Sequence, residues 1–102
     1  MSRPTVVLLV KFKSPLSLEE TKEVVDSRID QFRALDGLTQ KYYLRDSASG
    51  EYAGLYLWES ADALAEFRNS ELRKTIAKAY QAEGEPRVEV FEIFETLRDS
   101  DD

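Results

Sequence analysis

Hydrophobic positions along this chain change period in a fixed order. Thr5 to Lys13 reads as a strand: Val6, Leu8, Val10 and Phe12 stay apolar on one parity, while Val7, Leu9, Lys11 and Lys13 turn polar along the other. The first parity is the expected core side, and the apolar start of both parities predicts a central strand covered on two faces. Pro15 ends it. Ser17-Leu18-Glu19-Glu20 then has the spacing of a capping box, with Ser17 as N-cap and Glu20 at the third helical position. Leu18, Val25, Ile29, Phe32 and Leu35 form one stripe of the helix that follows, and Asp36-Gly37 supplies its stop.

Leu38 to Arg45 and Tyr52 to Glu59 are predicted hairpin strands, joined by Asp46-Ser47-Ala48-Ser49-Gly50, a run of turn residues. In the second strand Ala53, Leu55 and Leu57 alternate with Tyr52, Gly54, Tyr56 and Trp58. Aliphatic side chains are expected on the core side, and the amphipathic rings on a side facing a cavity or interface. Gly54 marks either a bulge or room left for a neighbouring ring. Ser60 and Ser70 are N-caps for two helical pieces, the second reaching Tyr80 or Gln81. Glu83-Gly84-Glu85-Pro86 reads as a loop and Arg87 to Leu97 as the last strand.

The order βαββαβ with right-handed crossovers predicts an α+β, ferredoxin-like protomer. Its four-stranded antiparallel sheet has order 4-1-3-2, both helical regions lie on one face, and the second region is split in two. The opposite face would expose Leu9, Tyr56, Trp58 and Tyr43, a patch that a second copy packed sheet to sheet would bury. A pocket between the two sheets is then the expected site. The whole of 1–98 is expected to be one domain, followed by an acidic disordered tail, 99–102.

Composition narrows the chemistry. The 102 residues include neither Cys nor His. That removes disulfides, a thiolate nucleophile, Cys/His zinc sites, His-based triads and an axial His for haem. No acidic run has the spacing of a carboxylate metal loop. A net charge of -6 argues against nucleic acid, and no stretch approaches the ~20 apolar residues of a membrane span. Met1-Ser2-Arg3-Pro4 leads into a strand rather than a signal peptide, so a cytoplasmic protein is expected.

The stretch Leu38-Thr39-Gln40-Lys41-Tyr42-Tyr43-Leu44-Arg45-Asp46, with Gly50 to Ser60 behind it, resembles the YdhR-like branch of the dimeric α+β barrel superfamily, beside the antibiotic-biosynthesis monooxygenases. Gly37, Leu38 and Lys41 match one part of the pattern, Gly54, Tyr56, Leu57 and Trp58 a second, and Ala63 with Phe67 a third. The resemblance implies a homodimer with one internal pocket per subunit and oxygenation of an electron-rich aromatic or polycyclic substrate without metal, flavin or other cofactor. Lys41, Lys11 or Arg45 would steady the developing charge, with Lys41 and Lys11 as catalytic candidates. Trp58, Tyr56 and Tyr43 would stack on or orient the ring, with Arg45 beside them. The plainer readings are Trp58 as a core or interface anchor, Lys41 as an edge-strand guard, and Glu92 as a base only if its parity faces the pocket. The rival function is a non-catalytic homodimer that binds a small hydrophobic or aromatic ligand or is purely structural.

Overall fold

A computed structural model describes residues 3–98, so the acidic tail lies outside the described residues. The elements are β1 (Val6–Lys13), α1 (Leu18–Arg33), β2 (Leu38–Arg45), β3 (Tyr52–Trp58), α2 (Ala61–Arg68), α3 (Glu71–Lys74), α4 (Ile76–Ala79) and β4 (Glu83–Glu92). The strands form one antiparallel sheet in the order β2-β3-β1-β4, as the connection rules require.

The local signals act as their chemistry dictates. Ser17 and Glu20 close a complete capping box, and Ser60 and Ser70 accept from Ala63 N–H and Arg73 N–H. The second helical region is broken into three pieces rather than two, because the chain turns again at Thr75, whose hydroxyl donates to Leu72 O at 2.9 Å. The last piece ends in a Schellman motif: Ala82 N–H donates to Ala77 O at 2.8 Å and Gln81 N–H to Lys78 O at 3.1 Å. Gln81 occupies the left-handed position of that motif with φ 52°. Gln81→Gly is therefore expected to raise stability by about 1 kcal/mol, read as a higher midpoint in urea with an unchanged slope.

Two expectations about the sheet are corrected. β4 begins at Glu83 and ends at Glu92, not at Leu97. Its partner β1 starts at Val6, opposite Glu92, and the last bond runs from Ile93 N–H to Thr5 O. Beyond it Phe94 and Leu97 have no strand to pair with and are 99% and 91% exposed. At the other end a register shift between Lys11 and Lys13 lets the expected loop 83–86 join the ladder.

The second correction concerns the aromatic face. Tyr56 and Trp58 are 2% and 1% exposed, covered by this chain's own helices. They pair with Leu8 and Val6, on the side that carries the core. The reason is volume. Short helices stand off a twisted sheet, and rings fill that gap where Ala53, Leu55 and Leu57 would not. Tyr56 stacks on Trp58 at 6.3 Å and 6°, and Phe67 of α2 meets both rings at 5.2 Å. Removing this hub ring (Phe67→Ala) is expected to cost about 3–5 kcal/mol in chemical denaturation.

The outer face is thus aliphatic where rings had been expected. Val7 and Leu9 of β1 and Leu55 and Leu57 of β3 are only partly covered there. Tyr42, Leu44 and Phe91 flank them, 51%, 42% and 49% exposed. One end of this face is polar: Lys11 Nζ holds Asp46 Oδ2 at 2.6 Å and Arg87 holds the buried Glu51 at 2.7 Å.

Candidate functional site

On the helix side, α1 does not close on the sheet along its N-terminal half. Leu18 is 45% exposed although it begins the apolar stripe, and beneath Leu18, Thr21 and Val25 lies a cavity of about 150 Å³. Val10, Phe12, Gly54, Ile76 and the rings of Tyr43, Tyr52, Tyr56 and Tyr80 complete its wall. Tyr52 is fixed by donating to Leu16 O at 2.8 Å, and Phe12 packs on Tyr80 at 5.4 Å. A more polar groove of about 340 Å³ lies alongside, lined by Ile29, Phe32, Arg33, Leu38, Thr39 and Gln40. Lys41 and Tyr43 belong to both cavities and form the partition between them.

A bulge puts Lys41 there. Leu38 pairs with Trp58 but Gln40 pairs with Leu57, so Thr39 is the extra residue, its hydroxyl donating to Leu57 O at 2.9 Å. In strict alternation from Leu38, Lys41 would point to the outer face. The inserted residue flips the phase, so Leu38 packs on the core while Lys41, opposite Tyr56, also points inward.

The Lys41 amine lies 3.5 Å from the centroid of the Phe32 ring and 4.4 Å from those of Tyr43 and Tyr56. Among the described residues no carboxylate lies within ion-pair distance of it. Burial, with the Arg28 guanidinium adding to it, lowers its pKa to about 7. The ring quadrupoles favour the ammonium and act against that shift. Arg28 itself is held by Thr75 Oγ1 at 2.9 Å, and its Nε is buried without a partner. Burial pushes the phenol of Tyr80 up to about 12 and raises those of Tyr43 and Tyr56. All three therefore stay neutral around pH 7, as donors rather than bases.

Because the folded state holds Lys41 below its unfolded value of 10.5, the unfolded chain binds the extra proton between about pH 7 and 10.5. Stability should rise with pH across that window. The thermal midpoint of the parent is expected to climb from pH 7 to 9.5 relative to Lys41→Met, and equal slopes in the two proteins would contradict this.

The remaining sequence candidates separate cleanly. Arg45, Tyr43 and Tyr56 line the cavity with Lys41. Lys11 does not: it faces the outer side of the sheet and is held by Asp46, whose carboxyl that bond and the Ala48 and Ser49 N–H groups keep well below the usual range. Trp58 lies in the core outside the cavity wall, its Nε1 buried without a hydrogen-bond partner. Glu92 lies at the exposed end of β4, away from the cavity lining. Sequence reasoning missed Tyr52, Tyr80 and Thr21. Tyr52 shares the Tyr56 parity and could have been found from it. Gly54 does leave room for a ring: a Cβ there would meet Tyr56 Cε1 at 2.9 Å. Gly54→Ala should push Tyr56 into the cavity and weaken binding of any ring-sized ligand by about tenfold, seen by calorimetry with Lys41 intact.

No group of three or more His, Cys, Asp or Glu residues able to hold a metal occurs among the described residues. None of the described helices is long and apolar enough to cross a membrane.

No family model matches the sequence, and no curated protein matches it significantly. Solved structures do. SnoaB of Streptomyces nogalater, a cofactor-independent oxygenase, superposes with a TM-score of 0.72 at 17% identity, over 94% of this chain and 99% of that one. A provisionally assigned antibiotic biosynthesis monooxygenase of Caulobacter crescentus gives 0.71 at 21%, over 91% and 92%. Rv0793 of Mycobacterium tuberculosis gives 0.71 at 21%, over 91% and 98%. The chain therefore has the ferredoxin-like fold seen in antibiotic-biosynthesis monooxygenase-like proteins.

Proposed function

We propose that this protein is a cofactor-independent monooxygenase, working as a homodimer, whose small aromatic substrate lies in the cavity against Lys41. The observation that carries the reading is an amine with a near-neutral pKa, enclosed by three aromatic rings and out of ion-pair reach of any described carboxylate, at the end of an apolar cavity. The shared fold with SnoaB supports the same chemistry. The volume suits one ring: a cavity of about 150 Å³ is the size that takes up benzene. A polycyclic substrate would extend past Lys41 into the groove.

The neutral Lys41 amine takes the acidic proton of a phenol or enol, and the ammonium so formed holds the anion. The anion passes electrons to O₂ and a C–O bond forms, giving a peroxide that Lys41 reprotonates. The attacked carbon, a CH of the anion, now carries one hydrogen and the OOH group, and loss of water from it leaves C=O. One oxygen atom ends in product and one in water, so no external reductant enters. Burial of the site keeps the anion from bulk protons.

The test is oxygen uptake with product analysis over a panel of hydroxylated one-ring and two-ring aromatics. Lys41→Met should lose about 10²- to 10⁴-fold in kcat/KM. Trp58→Phe, outside the cavity wall, should keep the parent KM. Absence of uptake across the panel, with ligands still bound, would leave the non-catalytic binding dimer as the function.

A further inference from the structure

We infer that the ligand of this cleft is held as an aromatic monoanion of one or two rings, its ionised oxygen (the phenolate or enolate of the reading above, for which a carboxylate is the stable probe) against the Lys41 ammonium and its ring in the apolar cavity. This rests on the cavity being the ligand site, as proposed above, but not on any oxygen chemistry.

The argument is a charge asymmetry. The chain has 20 acidic residues against 14 basic ones, yet no Asp or Glu among the described residues lines either the cavity or the groove. The charged groups there are Lys22, Arg33, Lys41 and Arg45, with Arg28 over the Phe32 ring at 5.9 Å. Among the described residues only Arg33 of this set has a carboxylate, Asp30, at a loose 3.8 Å on the exposed helix surface. Cations gathered with almost no counterions in an acidic protein raise the local potential and lower the affinity of a cationic ligand. A neutral ring would leave the Lys41 ammonium facing apolar walls. An anion supplies the missing partner in a poorly solvated position, where a charge-assisted bond is strong.

Binding is then coupled to a proton. The free amine is about half charged at pH 7, and an adjacent anion draws it fully to the ammonium. The charged and titratable groups around Lys41 are Arg28 from α1, Tyr43 on its own strand and Tyr56 on β3, with Lys22, Arg45 and Tyr80 further along the cavity and Arg33 along the groove. The three phenols stay neutral through pH 9, so the proton goes to Lys41.

The experiment is anaerobic calorimetry of the full chain with benzoate, 2-naphthoate, 2-naphthamide and 2-naphthylmethylammonium, at pH 6 to 9 in buffers of different ionisation enthalpy. The carboxylates should bind at least about tenfold more tightly than the amide, with the ammonium compound weakest. Carboxylate affinity should fall by up to about fiftyfold from pH 7 to 9, with proton uptake rising toward one. Lys41→Met should abolish the carboxylate preference and the pH dependence while weak amide binding persists. Lys41→Arg should keep the preference and lose the pH dependence. An amide as tight as the carboxylate, a pH slope that survives in Lys41→Met, or no binding by any probe would overturn the inference. Tight carboxylate binding without oxygen uptake by any phenol would overturn the oxygenase reading alone.

Discussion

Gly37→Ala is expected to destabilise the protein by about 3–5 kcal/mol, enough to leave a chain of this size partly unfolded at 37 °C. Two independent terms add at this position. Its φ of +83° lies in the left-handed region, where a side chain costs about 1–2 kcal/mol. A Cβ placed there would lie 2.5 Å from Ala63 Cβ, on the first turn of α2, and that turn is pinned by Ser60. The backbone cannot retreat easily either, since Gly37 O accepts from Glu59 N–H at 2.9 Å and ties the α1–β2 turn to the end of β3. Gly50 separates the terms: its φ is +79° and an added methyl would meet nothing within 4 Å, so Gly50→Ala should cost only about 1–2 kcal/mol. Adding Ala63→Gly to Gly37→Ala should recover the steric part and leave the conformational part. Urea denaturation of the parent and the three variants measures each directly. Equal losses at Gly37 and Gly50 would show that the contact with α2 contributes nothing.

Much of the fold was legible because several signals agreed at each element. The β1 parity, the capping box and the serine caps each named a boundary or a face through chemistry confined to a few residues. The site was legible in composition but not in orientation. Lys41, Tyr43, Tyr56 and Arg45 could be singled out by residue type, yet which side of the sheet they occupy depends on one residue of phase. In β3 both parities are apolar, and polar handles on Tyr and Trp suggested an outward face. The gap beneath the helices, which decides the matter, has a size set by tertiary packing. In β2 the inserted Thr39 reverses the phase one residue into the strand, and nothing in period-two patterning announces it. Lys11 shows the converse: a charge on a central strand needs a partner, and Asp46 of the hairpin turn supplies it from a distance of 35 residues in sequence.

Leu55→Glu is expected to convert the proposed dimer into a monomer while leaving the cavity intact. Exchanging the two sides of β3 left the need for cover in place, because Val7, Leu9, Leu55 and Leu57 replace the rings as an apolar outer layer, extended by Phe91 and by Tyr42 and Leu44 on the two edge strands. Leu55 pairs with Leu9 of the central strand and with Tyr42, which places it near the middle of that layer. A two-fold axis through a face-to-face sheet contact uses the same patch on both copies, so one substitution acts twice. Each lost leucine removes about 1.5–3 kcal/mol of burial, and each new carboxylate must be desolvated opposite apolar side chains. Together these amount to at least about a thousandfold in the dissociation constant. The folded monomer should survive, because the helix-side core does not include Leu55. Sedimentation velocity across a concentration series, with circular dichroism as the folding check, reads both effects. A parent that sediments as a monomer at every concentration would remove the dimer. In that case the cavity under α1, built from one chain, would be the whole of the site.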